Sequence, residues 1–163
     1  MKGEDEMSEV SNIVDIVDEL QRIHEGDAWH GPALRELLFG LRAEQAAARP
    51  ILNAHSIWEL VLHIIGWESV FRLRLEGHPV STPPEGDFPP VEDTSQQAWA
   101  KTLSALEDSH AQLISIVAAL RDSTLQEKVA GKDYTTRFLI SGIVRHHVYH
   151  SGQIALLRKA FTK

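Results

Sequence analysis

Two histidines, His146 and His150, stand four residues apart in RHHVYHSGQIALL (145–157), within a run whose aliphatic residues must be buried. On an α-helix this spacing stacks both imidazoles on one face. At about 100° per residue, both fall inside the apolar stripe of Leu139, Ile143, Ile154, Leu157 and Phe161. Buried ring nitrogens need partners. Two adjacent rings repel each other when protonated and leave lone pairs unpaired when neutral, and a shared divalent cation resolves both conflicts. The rival reading is a pair of hydrogen-bonded core histidines.

A tight site needs a third ligand. His63, on the shoulder of another apolar stripe beside Leu60 and Trp67, is the best candidate. Glu59, one turn earlier, is placed to accept the second N–H of His63, as carboxylates beside metal-binding histidines do. The same contact would also satisfy His63 as an ordinary boundary residue. Three imidazoles leave a coordination position open, as in catalytic sites. A water there would be acidified toward a pKa of about 7. The chain has no cysteine, so only His, Asp or Glu can ligate. Nitrogen donors favour Zn, Ni, Fe or Cu over Mg or Ca. Zinc or nickel leads as the expected divalent metal cation, with iron or manganese behind. His147 occupies the place of the glutamate in H-E-x-x-H, so the zinc-protease signature is absent.

Other residues gather around this trio. His147 points inward about 100° from His146 and is expected to pack against the ligand rings or support them. Gln153, one turn beyond His150, is placed to bond a ligating ring or a bound water, or to satisfy a neighbouring helix end. Tyr149 is read as boundary packing with a hydroxyl in reach of the site. Trp29 and His30, in the break HEGDAWHGP, line the mouth of the cavity; alternatively Trp29 anchors the break in the core. His110 reads as a buried polar residue rather than a ligand, and His55 as support for a turn. His24 and His78 carry no readable role. Glu68 lies on an apolar stripe, facing the metal or an arginine.

The elements that must position these groups are helical. Ile13, Ile16, Val17, Leu20 and Ile23 keep the helical period, which breaks near Gly26–Gly31 and resumes at Leu34, Leu37, Leu38 and Leu41, with Pro32 in the first turn. SIWE (56–59) is a capping box that opens a second helix, ending at Gly77 and Pro79. Residues 78–93 hold five of the seven prolines and form a long crossover. Thr94 with Gln97 offers another capping box before the seam Trp99, Leu103, Leu106, His110, Leu113, Val117 and Leu120. Residues 122–136 lose the period and form a second long connection, of a kind often functional. The last helix begins near Thr136. The expected fold is all-α: a four-helix bundle with long connections between helices two and three and between three and four, and with its ligand site between facing helices.

At 163 residues, 43% hydrophobic and 24% charged, the chain suits one domain. We expect a flexible acidic N-terminus over 1–11 and a single helical bundle over 12–163. The formal net charge of −7 argues against nucleic acid and against an anionic membrane surface as partners. The start of the chain lacks the pattern of a signal peptide and no apolar run reaches membrane-spanning length, which points to the cytoplasm. Gly152, costly inside a helix, and Trp58, off its stripe, suggest a helix-to-helix contact in a homodimer.

HSIWELVLHIIGWE (55–68), the H-x-x-x-H-x-G-Q of His146–Gln153 and HEGDAWHG (24–31) together resemble the DinB/YfiT-like superfamily, over about Ile13 to Lys159. The resemblance implies a four-helix bundle of unusual up-down topology. It also implies a divalent metal on one histidine of helix two and two of the last helix, which by motif are His63, His146 and His150. Characterised relatives include transferases that join a low-molecular-weight thiol to an electrophile, and mycothiol-dependent isomerases. The thiol-recognition residues of such transferases have no counterpart identified here. The expected partner is therefore a small-molecule substrate, with a low-molecular-weight thiol as one candidate, and the reaction a transfer or hydrolysis. The alternatives are a non-enzymatic metal-binding stress-response protein and a helical interaction module without metal.

Overall fold

A computed structural model describes residues 12–161; the N-terminus expected to be flexible lies outside them. The described residues are helical, without a β-strand beyond one isolated bridge between Lys128 and Thr135. Four long helices, α1 (Ile13–Glu25), α4 (Ile57–Leu75), α5 (Gln96–Ala118) and α6 (Thr136–Arg158), are joined with two five-residue helices, α2 (Leu34–Leu38) and α3 (Ala43–Ala47), and two 3₁₀ turns, Asp122–Gln126 and Lys159–Phe161. Among the long helices, α4 packs on α5 and α6, and α1 packs on the same two. No helix is long and apolar enough to cross a membrane among the described residues.

Local chemistry sets the helix starts. At α1, Asn12 accepts from Asp15 N while Asp15 accepts from Asn12 N. At α4, Ser56 Oγ accepts from Glu59 N and Glu59 Oε2 accepts from Ser56 N at 2.8 Å, the capping box expected there. At α5 the cap is Ser95 rather than Thr94: Asp93 Oδ1 takes Ser95 N and Ser95 Oγ takes Ala98 N, so the chain is fixed one residue later. Pro32 likewise lies outside α2, whose cap position is the buried Ala33. The break expected near Gly26–Gly31 is present: α1 stops at Glu25, and two short helices follow.

Helix α4 is buried on several sides, because α3, α5 and α6 all pack against it. Trp58 is accordingly 2% exposed, with Nε1 donating to Thr102 Oγ1 at 3.0 Å, so the interface suggested for it is instead a contact with α5. Gly152 differs: among the described residues, a Cβ there would meet nothing within 4 Å, so no other described helix packs on it. Trp99 is fully buried, and its Nε1 donates to Leu41 O at 3.0 Å, tying α5 to the chain between α2 and α3. Trp99→Ala should destabilise by about 3–5 kcal/mol, read as a lower urea midpoint with little change of slope; an unshifted midpoint would contradict this packing.

Two apolar clusters fill the interior. One gathers α2, α3, the first half of α4, Trp99, Leu106, Ile154 and Leu157. The other gathers α1, Phe71, Leu113, Val117, Leu139, Ile140 and Ile143. Along α4, α5 and α6 a set of buried polar residues falls between the two: Glu68 between Ile64 and Phe71, His110 between Leu106 and Leu113, and His147 and His150 between Ile143 and Ile154. These four thus occupy a polar layer between two apolar cores, and His63 stands beside it among residues of the first.

The long connections are pinned onto this frame. Pro83 lies against Gly66 of α4, where a Cβ would sit 3.2 Å from Pro83 Cβ. Gly131 has φ +69°, and a Cβ there would lie 3.1 Å from Pro79 Cβ, so the two connections touch. Arg74 of α4 donates to Val80 O at 2.8 Å and Ser81 O at 2.7 Å and lies 5.7 Å from the Trp67 ring.

Candidate metal centre

His63 on α4 and His146 and His150 on α6 converge. Each offers a ring nitrogen within 4.8 Å of the other two. His63 Nε2 and His146 Nε2 are 2.9 Å apart, and the His150 ring stands edge-on to both, with centroids at 4.5 and 4.4 Å.

Hydrogen bonds decide which nitrogens face inward. His63 Nδ1 donates to Asp87 O at 2.7 Å; a carbonyl only accepts, so the neutral ring carries its proton on Nδ1 and presents a bare Nε2. His150 Nδ1 pairs with Gln153 Oε1 at 2.6 Å, which assigns its ring in the same way. Burial, with neighbouring His150, His147 and His63, lowers the pKa of His146 to about 3. Burial also lowers that of His150. Both are therefore neutral near pH 7. Without a cation, His146 must turn an N–H toward His63 and leave its buried Nδ1 without a partner. Imidazoles whose ring nitrogens converge, two of them anchored through their far nitrogens, are the donor set a divalent transition cation takes, so the residues present fit such a group.

The trio lies in the wall of a cavity of about 490 Å³. Trp67, Phe71, Phe88, Phe138 and Leu139 supply much of its lining, and Tyr134, from the second long connection, and Tyr149 contribute as well. Phe88 stacks on His63 at 4.2 Å and on His55 at 3.7 Å, which fixes the plane of His63 from outside.

Several sequence expectations are corrected. Glu59 does not reach His63. Its carboxylate is spent on Ser56 N and on Arg49, and hydrogen bonds from both lower its pKa against the opposing effect of burial. Asp87 takes the position expected of it, through its carbonyl and with Oδ1 3.3 Å from His63 Nδ1. Trp29 and His30 neither line this cavity nor enter the core. Both are exposed, Trp29 completely, on a separate hollow with Arg22, Val144 and Val148. The loop after α1 carries them outward. Gln153 pairs with the His150 ring. Tyr149 is 64% exposed, with its ring 5.1 Å from that of His150. His147 turns away from the trio toward Glu68, with Nε2 3.2 Å from Glu68 Oε1. Asp87 and Phe88 were missed by sequence reading; the one available signal was an acidic and an aromatic residue embedded in a proline-rich crossover.

No curated protein matches the chain. The sequence profile of the DinB superfamily matches residues 18–154, which include all three converging histidines, and on that match the chain belongs to the DinB superfamily.

Proposed function

We propose that this protein is a metal-dependent enzyme of transferase or hydrolase type, a DinB-type four-helix bundle in which His63, His146 and His150 hold one divalent cation, zinc or nickel first. The observation that carries this reading is the pairing of His63 Nδ1 with Asp87 O and of His150 Nδ1 with Gln153, which turns the free nitrogens toward one point in a cavity wall. The cation would supply Lewis acidity that makes a thiol or water a better nucleophile. Asp87 and Gln153 orient the ligating rings, and Phe88 holds His63 in plane. Trp67, Phe71, Phe88 and Phe138 present an apolar wall that suits a small molecule with an aromatic or aliphatic body and limits water around it.

The test uses untagged, zinc- or nickel-loaded protein with two substrate panels: low-molecular-weight thiols offered with small electrophiles, and small esters and amides. Turnover in one panel that disappears on chelation and returns with metal is the expected result. Metal-loaded protein inert in both panels would overturn the enzymatic reading.

A further inference from the structure

We propose that Glu68, His110 and His147 form a second divalent-cation site, separate from the three-histidine centre and closed to solvent. The three come from α4, α5 and α6 and are 0%, 3% and 0% exposed. Each offers a ligand atom within 4.8 Å of the others.

The separations suit a shared cation. Glu68 Oε1 is 2.9 Å from His110 Nδ1 and 3.2 Å from His147 Nε2. Two ligands about 2.0–2.1 Å from a zinc ion, at a tetrahedral angle, lie about 3.3 Å apart. Hydrogen bonding alone satisfies this group poorly. His110 Nδ1 reaches Glu68 Oε1, yet Glu68 Oε2, His110 Nε2 and both ring nitrogens of His147 are buried without a hydrogen-bond partner. Unsatisfied buried polar atoms cost stability.

A cation changes that balance. Both carboxylate oxygens and the two imidazole nitrogens make four donors, so the site closes without a water or substrate, as structural metal sites do. Two nitrogens with one carboxylate select a transition cation over Mg or Ca. His24, the last buried residue of α1, stacks on His110 at 3.9 Å and 7°, with Nε2 3.3 Å from Glu107 Oε1. The ring of His110 is thereby held in place, and all four long helices meet at one point in the polar layer.

The test is elemental analysis of untagged protein saturated with zinc and dialysed, comparing wild type with E68Q and H150A. Two equivalents in wild type and one in each variant is the expected result. One equivalent in wild type falling to none in E68Q but unchanged in H150A supports this site while removing the three-histidine one. One equivalent in wild type, unchanged in E68Q, overturns the proposal. Should E68Q fail to fold, cobalt titration of H150A decides: a visible-absorption endpoint near one equivalent supports the site, and no endpoint overturns it.

Discussion

Replacing His150 by alanine removes the cation held with His63 and His146 while leaving helical content near that of the wild type. The ring contributes one of three converging nitrogens, and His63 cannot close the gap because Asp87 O and the Phe88 ring hold it from its far side. Loss of a group that merely supports a ligand costs about 10–100-fold in metal affinity; loss of a ligand should exceed that, to more than about 100-fold. The fold should survive, because the side chain borders a cavity rather than filling either apolar cluster. Equilibrium dialysis with zinc, alongside far-ultraviolet circular dichroism, checks both halves. Zinc affinity within a few-fold of wild type would show that the trio is not the binding centre.

Acidification from pH 7 to pH 5 lowers the stability of the metal-free protein by about 4 kcal/mol. The effect comes from histidines that folding holds neutral. Burial, with His110 adjacent, lowers the pKa of His24 to about 4, and burial with its histidine neighbours lowers that of His146 to about 3, both from 6.5. Between 6.5 and those values the unfolded chain binds protons that the folded chain refuses, so stability falls as pH falls, beginning below 6.5. At about 1.4 kcal/mol per pH unit for each group, His24 and His146 each withdraw about 2 kcal/mol by pH 5. Below 4.5, Glu68 adds a loss of the same sign, since its folded carboxylate titrates only near 2. Urea midpoints at the two pH values measure this, and an equal or higher midpoint at pH 5 contradicts it. Zinc should hold the midpoint up further into the acid range, because it binds the folded state in competition with protons.

The stacking of His146 with His150 and the start of α4 were legible because both depend on local spacing. Four residues on a helix stack two imidazoles, and S-x-x-E encodes its own hydrogen bonds. What supports the ligands was not legible in the same way. Glu59 is one turn from His63, as the helix requires, but the capping box and Arg49 hold its carboxylate at the helix end. Asp87 reaches His63 from 24 residues away, along a path set by Pro83 seated on Gly66 and by Arg74 gripping Val80 and Ser81. No periodicity reports such a path. Trp58 looked outward only while α4 was imagined with one buried face, and three other helices cover it. His24 could not be interpreted until α1 lay beside α5 and its ring met that of His110.

The anchor of His63 is a main-chain oxygen, and every amino acid carries one. Sequence drift at position 87 can therefore alter the side chain that meets the Trp67 indole without depriving the imidazole of its acceptor. Inheritance of the His63 tautomer then rests on the course of the polypeptide, and so on Pro83 and the bare α-carbon of Gly66 against which it is seated.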